Sequence, residues 1–72
     1  MASFSYDIIE NCGTLSQRGS WNFELNRVSW GGASPVYDLR KWDAAHEKMS
    51  KGATMTAEEL HALRELLNTM EV

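Results

Sequence analysis

Two sets of side chains in this sequence could do chemistry. The first is a thiol and two imidazoles: Cys12, His46 and His61 are the only residues of their kinds. A thiol beside an imidazole is the nucleophile and base of covalent catalysis. No glycine-rich elbow or phosphate loop accompanies these three, and their separation along the chain pairs no two of them. Cys12 reads as a small buried strand residue and the histidines as surface positions. The histidines lie fifteen positions apart with no Cys or acidic residue at ligand spacing, so no metal site and no cofactor is expected. The chain reads as a non-enzyme.

The second set sits in YDLRKWDAAHEKMSKG, residues 37–52, which holds Tyr37 and Trp42 among Arg40, Lys41, Lys48 and Lys51. Cations spaced to follow phosphates, beside aromatic faces on which unpaired bases stack, are the chemistry of single-stranded nucleic-acid binding. Trp30, across the GGAS segment, offers a second platform, and Arg27 a further cation. Each residue also has a plainer reading. Trp30 and Trp42 could seal a sheet edge or a subunit interface, and Lys48 and Lys51 could belong to a solvated loop. Trp21 and Phe23 are assigned to packing.

A net charge of -3 argues against phosphate binding until its distribution is considered. Residues 57–72 carry Glu58, Glu59, Glu65 and Glu71 against Arg64, which accounts for the whole excess. Residues 27–52 carry Arg27, Arg40, Lys41, Lys48 and Lys51 against Asp38, Asp43 and Glu47, a local surplus of positive charge. A lone cysteine fits a reducing compartment, the N-terminus lacks the pattern of a signal peptide, and no run of about 18 apolar residues is present. The expected location is the cytoplasm, with association to the nucleoid consistent with nucleic-acid binding.

The elements that must position these residues follow from local signals. Residues 4–17 mix aromatic and branched positions (Phe4, Tyr6, Ile8, Ile9, Leu15) with polar ones, and the glycine in RGS, 18–20, predicts a turn. WNFELNRVSW, 21–30, places Trp21, Phe23 and Leu25 on one face by alternation and Val28 and Trp30 on the other; a bulge near Asn26 or strong curvature would account for the switch. GGAS supplies glycines for positive φ in a tight turn. In PVYDLRKW, Tyr37 and Leu39 share a face, and Asp38, Arg40 and Trp42 share the other. DAAHEKMSKG reads as a loop and ATMT as a short strand entering a helix. Thr56 caps that helix with Glu59 reaching back, Met55 faces Leu60 as a staple, and Leu60, Leu63, Leu67 and Met70 form an apolar stripe widened by Leu66.

One domain, 1–72, of class α+β results: four strands followed by one C-terminal amphipathic helix. A chain of 72 residues buries little on its own, and without a disulfide or metal it needs oligomerisation or unusually good packing. A homodimer is expected, with Leu60, Leu63, Leu67 and Met70 at its interface.

WNFELNRVSW, YDLRKW and HEKMSKGATMTAEE, in that order and spacing, resemble the bacterial YdbC family, whose members are similar to the C-terminal domain of the eukaryotic transcriptional coactivator positive cofactor 4. The resemblance runs from about Tyr6 to Leu67. It implies a curved four-stranded antiparallel sheet followed by one C-terminal amphipathic helix in a two-fold homodimer, with single-stranded DNA lying across the open sheet surfaces with little sequence preference, Trp30 and Trp42 stacking bases, and Arg40 and Lys51 holding phosphates. It also implies a helix that contributes to the dimer contact. This chain departs from the pattern at Ser50, where the eukaryotic relatives have a second cation, and at Phe23, where many bacterial members have a basic residue.

The site expected from these readings comprises Arg27, Trp30, Arg40, Lys41, Trp42, Lys48 and Lys51. The expected partners are single-stranded DNA or RNA, a second copy of the chain, and transcription or replication proteins, with no membrane. The competing class is a protein-interaction module that presents the same open sheet face to a polypeptide.

Overall fold

The computed structural model describes residues 5–72, so Phe4 of the expected first strand lies outside the described residues. The sheet is an antiparallel meander with strands in chain order: β1 (Tyr6–Arg18), β2 (Trp21–Trp30), β3 (Val36–Trp42) and β4 (Ala53–Met55), followed by the helix α1 (Ala57–Asn68). The β2–β3 turn is made as its sequence suggests, with Gly31 and Gly32 at φ +59° and +80°, values that are easy only without a Cβ.

The change of face along β2 comes from curvature and not from a bulge at Asn26. Pairing with β3 runs unbroken from Asn22↔Trp42 to Val28↔Val36. Register shifts occur instead in β1, between Ile8 and Glu10, Asn11 and Gly13, and Thr14 and Ser16. Extra residues on one strand bend and twist its pair. How far the sheet bends is visible in one contact. Tyr6 is paired with Trp30, at the opposite end of β2 from the Asn22 that pairs with Trp42. In a straight strand those ends would be about 26 Å apart. The rings of Tyr6 and Trp42 nevertheless lie 5.3 Å apart, centroid to centroid.

The sheet therefore has a concave face, carrying Glu24, Asn26, Val28 and Trp30 from β2 and Asp38, Arg40 and Trp42 from β3, and a convex face carrying the residues between them. The concave face is the interior of the chain: Val28, Trp42, Asn26 and Asp38 have no exposed surface. The helix packs on β3 and β4 on the convex side. Its start is built as expected. The Thr56 Oγ1 accepts from the Glu59 amide (3.1 Å) and the Glu59 carboxylate accepts from the Thr56 amide (2.8 Å), which satisfies two of the amides left over at a helix N-terminus. No residue of α1 is fully buried. Among the described residues no helix is long and apolar enough to cross a membrane.

Candidate nucleic-acid interface

The residues expected to form the site divide between the two faces. Trp42 lies in the concave interior with no exposed surface, its ring packed on Tyr6 and, at 5.5 Å, on His46. This corrects the expectation that it stacks a base, because its faces are already taken by side chains of the same molecule. Trp30 is half-buried. It lies 5.8 Å from the Tyr6 ring, and the Arg40 guanidinium stands 4.6 Å above its centroid, a cation–π arrangement.

Arg40 is likewise committed. Its Nε donates to one Asp38 oxygen at 2.7 Å and its NH2 to the other at 2.6 Å, the two-pronged geometry that makes arginine–carboxylate pairs strong. Asp38 is fully buried and the Arg40 side chain is 13 % exposed. The charge expected to hold a phosphate is thus neutralised within the chain. Arg27 projects from the convex face toward Glu10, its Nε 3.8 Å from the carboxylate, on the opposite face from Trp30, Arg40 and Trp42.

The lysines are different. Lys41, Lys48 and Lys51 are exposed, and none has a carboxylate within 4.0 Å among the described residues. They are gathered at one end of β3 by the loop 43–52, which turns back along the strand end. Within it the Lys41 carbonyl accepts from the Ser50 amide (2.9 Å), the Asp43 amide donates to the Lys48 carbonyl (3.1 Å), and Trp42 forms a bridge with Met49. Asp43 shapes the turn by accepting from the amides of Glu47 (2.8 Å) and Lys48 (3.0 Å). Those bonds, led by the one from Lys48, hold its carboxyl below the usual range. Gly52 lets the loop return close to β3: a Cβ there would stand 2.4 Å from the Arg40 Cβ and 2.6 Å from the Leu39 carbonyl oxygen. Lys41 itself points to the convex side, opposite Phe23 and away from Trp42.

The loop is more ordered than its composition suggests because a polar cluster holds it. Glu24, 4 % exposed, accepts from the Asn26 amide group (3.0 Å) and lies 2.9 and 3.1 Å from the His46 Nε2. Asn11 donates to Asn26 (2.6 Å) and to Glu24 (3.3 Å). The Tyr6 hydroxyl donates to the His46 carbonyl, and His46 takes a φ of +58°, a left-handed conformation in which histidine is over-represented. So His46 is no ordinary surface position. The signal that could have found these groups is alternation itself: Glu24 with Asn26, and Asp38 with Arg40, are two residues apart and must share a face. Cys12 and His61 stand apart from this cluster, and Cys12 is exposed rather than the buried strand residue expected. The Cys12 thiol is raised above its ordinary value, chiefly by partial desolvation and then by Glu10, and the His61 ring is engaged by Arg64 on the helix (2.8 Å).

The apolar stripe of α1 faces a cleft of about 470 Å³ whose walls include Leu60, Leu63 and Leu67 of the helix and Leu15, Leu25 and Leu39 of the sheet. Leu15, Leu67 and Met70 keep 63 %, 47 % and 50 % of their surface exposed.

These features define a class: a small curled meander with one trailing helix, whose concave side is filled and whose free cations lie at a strand end. More particularly, the sequence pattern of the family Transcriptional Coactivator p15 (PC4) matches residues 17–66. An uncharacterized protein of Treponema pallidum (strain Nichols) is 46 % identical over 70 residues, which cover 96 % of this chain and 82 % of that protein. The chain belongs to the Transcriptional Coactivator p15 (PC4) family.

Proposed function

We propose that this protein is a sequence-tolerant single-stranded DNA-binding protein of the transcriptional coactivator type, acting without catalysis in transcription, replication or repair. Family membership supports the class. The observation that carries the reading is the cluster of Lys41, Lys48 and Lys51 at the end of β3: three exposed cations with no carboxylate in ion-pair reach. Phosphates recruited there displace counterions without first breaking an internal pair. Arg40 serves instead to hold Trp30, its guanidinium 4.6 Å above the ring centroid.

A second copy of the chain is the occupant that best suits the convex cleft. Only Val28 and Trp42 are fully buried hydrophobic residues in the described chain, a small core for a domain of this length. Leu60, Leu63, Leu67 and Met70, with Leu15 across the cleft, would complete it in a two-fold dimer. The competing reading, a polypeptide on the concave face, loses support because that face is filled by the chain's own side chains.

The test is tryptophan fluorescence during titration with oligothymidine at several salt concentrations, beside a duplex of equal length. Saturable quenching that favours the single strand and weakens with salt, with a log-log slope near 0.7 per phosphate contacted, is expected. A folded protein that gives no response at low salt refutes the proposal. Sedimentation of the free protein reports the dimer separately.

A further inference from the structure

Building on the single-strand reading, we propose that the convex face carries its own nucleotide subsite, formed by Arg18, Trp21, Phe23 and Lys41 at the turn end of the β1–β2 hairpin. Three strands supply it. Arg18 is the cross-strand partner of Trp21, Ser16 of Phe23, and Phe23 in turn of Lys41. Ser16, Phe23 and Lys41 thus form one row across the sheet, and Arg18 and Trp21 the row beside it. Together these five residues line a cavity of about 370 Å³, a volume in the range of small-ligand sites.

The chemistry is that of an unpaired nucleotide. Trp21 keeps 36 % of its surface exposed and Phe23 is half-buried, so aromatic surface is open to a base on this face while Trp42 is sealed on the other. Arg18 and Lys41 flank the rings, and neither has a carboxylate within ion-pair distance among the described residues. Two uncompensated cations beside exposed rings fit a phosphate–base–phosphate segment, in which stacking tolerates any base. The subsite is also continuous with the lysine cluster. Ser50, next to Lys51, is hydrogen-bonded to the backbone of Lys41 (2.9 Å), so a strand leaving Lys51 meets Lys41 first and then crosses Phe23 toward Arg18. The subsite borders the convex cleft, whose nearest wall residue on β2, Leu25, lies two positions beyond Phe23 on the same face.

Four samples test this against oligothymidine: the wild-type chain, the double variant Arg18→Gln/Lys41→Gln, Trp21→Phe and Trp21→Ala. The wild-type titration decides the single-strand reading itself. Given wild-type binding, the double variant is expected to bind more weakly with a salt slope lower by about 1.4, the value for two phosphates on a single strand. Trp21→Phe keeps a ring in place and is expected to lose part of the quenching amplitude while retaining affinity within about fivefold, whereas Trp21→Ala loses at least about fivefold. An unchanged slope and an unchanged quenching amplitude, in variants with wild-type circular dichroism, overturn the subsite, take Lys41 out of the path and leave Lys48 and Lys51 to carry the single-strand reading. If the double variant instead changes the sedimentation coefficient of the free protein, the cations face a second copy's carboxylates and the subsite is likewise overturned.

Discussion

The two faces of the sheet reverse the usual distribution of polarity. On the concave face Glu24, Asn26 and Asp38 are buried at 4 %, 0 % and 0 % exposure. On the convex side Leu15, Leu66, Leu67 and Met70 remain about half exposed or more. Buried polar groups are tolerable when each has its partners, and here they do: Asp38 has both oxygens on Arg40, and Glu24 has Asn11, Asn26 and His46. The carboxylates of the concave face are thus satisfied within one chain, while the Trp42 Nε1 is buried without a hydrogen-bond partner. The convex face leaves its apolar cleft open and Arg18 and Lys41 with no carboxylate in ion-pair reach among the described residues.

That contrast can be broken most severely from the inside. Trp42→Ala is expected to destabilise the fold by about 3–5 kcal/mol, the range for removing a large buried aromatic. Denaturant unfolding measures it, and a variant of wild-type stability that binds oligothymidine poorly would restore Trp42 as a stacking residue. Gly52→Ala comes next. Its Cβ meets backbone and a side-chain stem rather than a flexible tip, so a loss of about 1–3 kcal/mol is expected from overpacking, read as a lower denaturation midpoint.

On the convex side the same measurements should respond little. Leu67→Gln is expected to change the stability of the isolated chain by no more than about 0.5 kcal/mol, while removing the dependence of the melting temperature on protein concentration that a folded dimer confers. Equal loss in dilute and concentrated samples would place Leu67 in a monomer core instead. The smallest effect is expected at Asp43. Its folded pKa is lowered by the amides of Lys48 and Glu47, so its charge adds stability at neutral pH. That contribution fades as pH drops below the ordinary value of 3.8 and is gone below the lowered folded value. Asp43→Asn keeps an acceptor, so the wild-type advantage should be present at pH 7 and absent in strong acid; a difference that persists in acid assigns the effect to geometry rather than charge.

What could be read from the residues was what local chemistry determines. The turn at GGAS, the strand in PVYDLRKW, and the Thr56–Glu59 capping box each depend on a few neighbouring residues, and all three are present. The sharing of faces in β3 was legible too, since Asp38, Arg40 and Trp42 do point the same way. Which face turns inward was not. Period-2 alternation marks two faces but does not say which is concave, and a carboxylate is ordinarily taken as outward. Curvature arises from register shifts in β1, visible only once β1 and β2 are paired. Hence alternation groups Trp42 with Arg40 but does not show that both lie on the inner side of the sheet, and Trp21 and Phe23, which it assigns to packing, retain surface beside Arg18 and Lys41.

The link from the Tyr6 hydroxyl to the His46 carbonyl joins residues 40 positions apart, and this bears on the order of folding. The β1–β2 turn, the β2–β3 turn and the helix cap close short loops, whereas the Tyr6 clasp can form only after β1, β2, β3 and the loop 43–52 are in register. Loop-closure entropy places such a contact late on the pathway. Tyr6→Phe, which keeps the ring on Trp42 and removes only the donor, should therefore accelerate unfolding and leave the refolding rate unchanged in stopped-flow kinetics. A slower refolding limb would instead put the clasp in the folding nucleus. On the first outcome, the hydroxyl of Tyr6 acts as a brake on the opening of the concave face, a kinetic role distinct from its share in equilibrium stability.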